Sequence, residues 1–133
     1  MVTRIGERLG PTSEDLAARE GQRPGAELFA DYIRDIVRRL TENAEVTFAL
    51  FELRLEGARR PEIAGMLAEW RRSGFEGDVA FNASAGLPGG AREIALFHYA
   101  IEGLVFDRLT GPLMPDTPTD EIIDDLVAGL LSD

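Results

Sequence analysis

The stretch from Ala91 to Thr110, read as a helix, is apolar nearly all the way round. Ile94, Ala95, Leu96, Phe97, Tyr99, Ala100, Ile101, Leu104, Val105, Phe106 and Leu109 leave almost no face for solvent. A surface helix keeps an apolar stripe of roughly 100° and a polar back. A segment without that back needs cover on both sides, in a chain of 133 residues that is long enough for one continuous core and too short for two. Any fold for this sequence has to bury this helix twice.

The remaining pattern is helical as well. Short alternating runs bounded by turn dipeptides do not recur, so strand signals are weak. Thr12-Ser13-Glu14-Asp15 reads as a capped start of a short helix reaching about Arg19, and residues 21–25 break it. A second helix starts near Pro24. It sets Leu28, Phe29, Tyr32, Ile33, Ile36, Val37 and Leu40 on one side, and Asp31, Arg34, Asp35 and Arg38 on the other. Asn43 is placed to cap a third helix, Ala44–Arg59, which ends before Pro61 because proline disfavours helical geometry in its predecessor.

Pro61 then opens a fourth helix, clear through Ile63, Met66, Leu67 and Trp70. Ser73, Gly74 and Gly77 weaken its middle, each glycine by up to about 1 kcal/mol, so a kink or frayed segment is expected before Val79, Phe81 and Ala85. Leu87-Pro88-Gly89-Gly90 is a loop, and Gly111-Pro112 stops the Ala91–Thr110 helix. Thr117 is expected to cap a final helix with Pro118 at its first position and an apolar stripe on Ile122, Ile123, Leu126, Val127, Leu130 and Leu131. The expected fold is all-α: an antiparallel bundle of five main helices plus a short N-terminal one.

Composition removes several function classes. Cysteine is absent, which excludes disulfides, thiolate metal sites and cysteine nucleophiles. Lysine is absent too, and with it the phosphate-binding loop pattern that requires one; no GxGxxG spacing occurs. Residues 1–72 carry 12 Arg against 13 acids, whereas residues 73–133 carry 2 against 11, a net of −9. Such a surface repels phosphate backbones, so direct nucleic-acid binding is not expected. The N-terminus has no apolar core of the signal-peptide kind and the chain no uncharged apolar run of about 18 residues, so no membrane contact is expected and a cytoplasmic location is.

Nothing in the sequence reads as catalytic. Ser13, Ser73, Ser84 and Ser132 sit in no nucleophile context, and Asp124-Asp125 point apart on a helix as a solvated face. His98 is the single histidine; of the acids on its helix only Glu102 shares its face, so neither a metal site nor a cofactor is expected. Glu52 and Glu56 lie among Phe51, Leu53 and Leu55. Either they pair with Arg59 or Arg60 one turn on, or one of them anchors a ligand in an apolar cavity. Phe48, Phe51, Trp70, Phe75, Phe81, Phe97 and Phe106 are many rings for so small a bundle. Next to the breaks at Gly74 and Gly77 they point to imperfect filling, and hence to a pocket.

The order of elements, together with Phe51-Glu52-Leu53-Arg54-Leu55-Glu56-Gly57-Ala58-Arg59-Arg60-Pro61-Glu62-Ile63, Leu67-Ala68-Glu69-Trp70-Arg71 and Ile101-Glu102-Gly103-Leu104-Val105-Phe106-Asp107-Arg108-Leu109-Thr110, resembles the C-terminal regulatory domain of TetR-family transcriptional regulators. The likeness covers about residues 25 to 131. In that family an N-terminal helix-turn-helix binds operator DNA, and the helical C-terminal domain binds a small effector and dimerises through its last two long helices. A three-helix reader needs about 45 residues, and too few precede Pro24. The resemblance therefore implies a regulator fragment or a shortened gene product, with residues 1–24 a leader matching the end of the helix between the two domains and residues 25–133 the regulatory domain.

Carried over residue by residue, the resemblance gives the Ala91–Thr110 helix two tasks. Leu96, Ala100, Gly103 and Asp107 form a dimer face with small residues at its centre, completed across a two-fold axis by Ile122, Ile123, Leu126, Val127 and Leu130. The opposite side presents His98, Ile101 and Val105 to a cavity shared with Phe48, Phe51, Glu52, Leu55 and Trp70. The implied partners are a second copy and a small apolar effector. The alternative is a stand-alone helical interaction protein that heterodimerises with a full-length regulator.

Overall fold

The computed structural model describes residues 9–10 and 24–131. Among them the chain forms five helices and no strand: α1 (Ala26–Glu42), α2 (Ala44–Arg59), α3 (Pro61–Ser84), α4 (Ala91–Thr110) and α5 (Thr119–Leu130). The leader helix expected at residues 12–19 lies outside the described residues.

The α1–α2 corner is held by side chains that satisfy backbone groups left over at helix ends. Asn43 does not cap the helix it precedes; its Nδ2 turns back and donates to the Arg39 carbonyl at 2.8 Å, closing α1 instead. Thr47, fully buried, donates to the Leu40 carbonyl at 2.6 Å and pins the start of α2 to the end of α1. Pro61 opens α3 as expected. The α2–α3 hairpin packs closely at Gly57, where a Cβ would lie 2.7 Å from Leu67 Cδ1.

Two helix boundaries differ from the sequence reading. α3 is one unbroken helix of 24 residues, not a helix with a frayed middle. Leu67, Trp70, Phe75, Val79 and Asn82 give it apolar or buried contacts on both sides of the glycines, and Arg72 pairs with Glu69 and Glu76 across them. Tertiary packing of this kind outweighs a propensity cost of about 1 kcal/mol per glycine. At the other end, α5 begins at Thr119 with Pro118 as its N-cap and no hydroxyl capping it; Asp120 and Glu121 in the first turn face the positive end of the helix dipole.

The apolar interior falls into two parts. The larger gathers Leu28, Phe29, Ile33 and Val37 of α1, Phe97, Ile101 and Val105 of α4, and Ile123 and Val127 of α5. The smaller joins Val46 and Leu53 of α2 to Leu67 of α3, with Ile63 and Trp70 beside them. Ile123 and Val127, expected on the dimer face, are only 1% and 5% exposed. The stripe of α5 is wide enough to have an inner edge, and that edge is spent inside the subunit. Asp35, expected on the polar side of α1, is buried too, paired with Arg38 at 2.6 Å. Arg34 joins α1 to α5, its Nε donating to Asp124 at 3.0 Å. Among the described residues no helix is long and apolar enough to cross a membrane.

One buried side chain organises the entry into α4. Asn82 Nδ2 lies 3.3 Å from the carbonyl of Leu87 and 3.1 Å from those of Pro88 and Gly89. The loop it braces includes Gly89 at φ 88, a left-handed conformation that glycine adopts without a Cβ penalty. Asn82→Ala leaves these carbonyls without their donor and is expected to cost about 1–3 kcal/mol in urea denaturation. A loss under about 0.5 kcal/mol, the range of ordinary surface changes, would show that the clamp is dispensable.

Candidate functional site

Between the two apolar clusters lies a cavity of about 780 Å³. It exists because the facing helices present rings that do not interdigitate, and because α3 contributes Gly74 where a side chain would otherwise project. α1 supplies Phe29, Tyr32, Ile33 and Ile36, and α2 supplies Thr47, Leu50, Phe51 and Arg54, spaced as one helical face. Trp70, Arg71, Phe75 and Asp78 come from α3; Ile94, Phe97, His98, Ile101, Glu102 and Val105 come from α4. Asp78 and Phe81 are exposed and mark the open side.

Five of the eight residues expected at a cavity line it: Phe51, Trp70, His98, Ile101 and Val105. Phe48, Glu52 and Leu55 do not. Each lies one position after a lining residue of α2, and one position is a rotation of about 100°. Glu52 is exposed, Leu55 is 62% exposed and Phe48 is half-buried outside the cavity. The sequence misplaced the rotation of α2 because Phe48, Leu50, Phe51, Leu53 and Leu55 put apolar residues on more than one face. Phe29, Tyr32 and Phe97 were missed as wall residues; an aromatic on a core stripe looks the same whether it meets a neighbour or a void.

Asp78, His98, Arg54, Arg71 and Glu102 form two separate sets on the wall; the other charged groups there are Asp35 and Arg39 of α1, the latter donating to the Leu9 carbonyl at 2.9 Å. His98 Nε2 lies 2.9 Å from Asp78 Oδ2, and the imidazole stands edge-on to Phe75 with ring centroids 5.9 Å apart. Glu102, one turn along α4, does not join it. Its Oε1 is 2.8 Å from Arg71 Nη1 and 3.2 Å from Arg54 Nη1, so two guanidinium groups share one carboxylate oxygen. Glu56 takes the pairing role weighed for it, 2.6 Å from Arg60 and 3.8 Å from Arg59. Among the described residues no three carboxylate or imidazole groups converge as metal ligands.

The outer side of α4 is distinct. Gly103 is exposed, and Leu96, Ala100 and Asp107 are half-buried; Tyr99 and Phe106, 66% and 55% exposed, stand at the edge between this side and the cavity, Tyr99 lining the cavity and Phe106 meeting the Phe51 ring at 5.8 Å between centroids. Asp107 also accepts a hydrogen bond from the Leu113 backbone N–H at 3.1 Å, shaping the turn after the helix. Ile122, Leu126 and Leu130 of α5 are half-buried, flanking the core residues Ile123 and Val127. Of the residues read from sequence as a dimer face, those of α4 and three of the five of α5 are half-buried or exposed.

A helical bundle with a largely apolar cavity between its helices has the build of a small-molecule-binding domain. Residues 24–133 match the family described as tetracyclin repressor-like, C-terminal domain, and the chain belongs to that family. No match to a curated protein was found. Residues 24–133 are a TetR-family regulatory domain.

Proposed function

We propose that this chain is the effector-binding and homodimerisation domain of a cytoplasmic TetR-type repressor, non-catalytic and not itself a DNA binder, with residues 25–133 as the working domain and residues 1–24 as the end of a linker helix. The cavity carries the reading. At about 780 Å³ it falls within the roughly 300–1,000 Å³ of small-molecule sites, and its apolar walls with a few placed polar groups match their make-up. α4 turns one side to the cavity and the other outward, so an occupied cavity biases the spacing of two subunits packed through that outer side. A ligand that favours one spacing moves attached DNA readers away from operator geometry by its differential affinity for the two states.

A thermal-shift screen of small apolar molecules tests this. A ligand at about a hundred times its Kd stabilises the folded chain by about 2.7 kcal/mol, and Phe51→Ala, which removes a wall ring, is expected to diminish that shift. No hit from the screen, or a hit that neither Phe51→Ala nor Ile101→Ala changes, would overturn the effector reading.

A further inference from the structure

We infer that the cavity selects an organic anion: a carboxylate head seated at Arg54 and Arg71 and an apolar body lying against Phe51, Phe75 and Ile101. This inference rests on the reading of the cavity as an effector site and adds the charge of its ligand. It follows from how the charged groups on the wall are matched. Asp35 is met by Arg38 at 2.6 Å, from outside the cavity. Asp78 is met by His98 at 2.9 Å. Each of these acids already has its own partner.

Of the three arginines on the wall, Arg39 donates to the Leu9 carbonyl at 2.9 Å, and the other two are matched differently. Arg54 and Arg71 have, among the described residues, one carboxylate between them, and both approach the same oxygen of it. A guanidinium carries five N–H donors in a planar fork, so two of them on one oxygen leave most of that donor capacity, and a local excess of one positive charge, unmatched among the described residues. Both side chains are about one-third exposed, at 29% and 37%. They reach the cavity without being sealed off from an incoming ligand, while its apolar wall strengthens a charge-assisted pair relative to water.

Position fits as well. One turn from Arg54 on α2 is Phe51, one turn from Arg71 on α3 is Phe75, and one turn from Glu102 on α4 is His98, all on the cavity wall. A ligand held by its head at the two arginines therefore runs its body between rings contributed by three helices. The chain's overall charge of −10 opposes an anion only weakly, because exposed charges more than about 10 Å away are screened at ordinary ionic strength.

Glu102 is then the ligand's competitor, an internal carboxylate that holds the arginines in place while the cavity is empty. The two kinds of substitution consequently act in opposite directions. Isothermal titration with decanoate and 2-naphthoate, each compared with the alcohol and the amine of the same carbon skeleton, reads this out. The acids are expected to bind about tenfold or more tightly than their alcohols, and the amines more weakly than either. Arg71→Gln lowers acid affinity by about tenfold and leaves the alcohol unchanged, whereas Glu102→Gln raises acid affinity.

Alcohols or amines that bind as tightly as the acids would overturn the anion preference and leave the apolar-effector reading standing. Failure of all six compounds on the folded chain would overturn both. If Arg71→Gln loses the alcohol too, the cavity itself has collapsed, and the acid-to-alcohol ratio of the unsubstituted chain together with Glu102→Gln decides the matter.

Discussion

Phe97→Ala is expected to lower the unfolding free energy of this domain by about 3–5 kcal/mol. The ring is 2% exposed, sits 4.7 Å from Phe29 centroid to centroid, and belongs both to the larger core cluster and to the cavity wall. Truncation loses the transfer free energy of the ring and joins its volume to a void that already exists, so the neighbouring side chains have little to collapse onto. Against a total stability of about 5–15 kcal/mol for a domain of this kind, that is about a fifth or more. Urea denaturation followed by circular dichroism measures it. A loss under about 2 kcal/mol would mean that Phe29 and the α4 residues around it close the gap, and that the cavity border is more yielding than its packing implies.

The second large effect concerns association. With Gly103→Arg the chain is expected to sediment as a monomer under conditions where the unsubstituted chain is a dimer, a loss of about a hundredfold or more in affinity, or roughly 3 kcal/mol. Nothing lies within 4 Å of where a Cβ on Gly103 would stand, so the substitution meets no steric cost inside the subunit. Tyr99 and Phe106, both exposed, stand at the edge of this side of the helix. In a two-fold packing through this face the same patch meets itself, and an arginine there brings both bulk and a like charge against its copy. A monomeric parent chain, or a variant that remains dimeric, would remove α4 from the interface.

Much of the fold was legible because helix ends are written in local chemistry. Pro61 separates α2 from α3, and the glycines around residues 89–90 and Gly111 bracket α4, at the residues where the structure starts and stops them. Less legible was whatever depends on a neighbour. The glycines of α3 gave the correct local cost, but the contacts that outweigh it come from other helices. Asp35 read as a surface acid because its burial is imposed by the chain around it. Ile123 and Val127 share a stripe with Ile122, Leu126 and Leu130, and periodicity alone does not say which edge of a stripe faces inward.

The cavity was legible only as a surplus of rings. Its location depends on a rotation of α2 by one residue, which set Leu50, Phe51 and Arg54 inward and Phe48, Glu52 and Leu55 away. Arg54, Arg71 and Glu102 lie on three different helices, and no spacing rule along the chain connects them. Their convergence is a property of the packed bundle, and so is the charge it leaves unmatched.

The two-sided character of α4 also limits how such a domain diverges. Residues that drift freely over generations are those whose side chains meet only water, and α4 offers few of them. An exchange that reshapes its cavity side risks shifting its outer side by the same rotation. α3 is under no such double constraint. Arg71, Phe75 and Asp78 line the cavity while Arg72, Ser73, Glu76 and Gly77 between them are exposed. Substitutions that reshape the cavity without disturbing the outer side of α4 are therefore most accessible through α3.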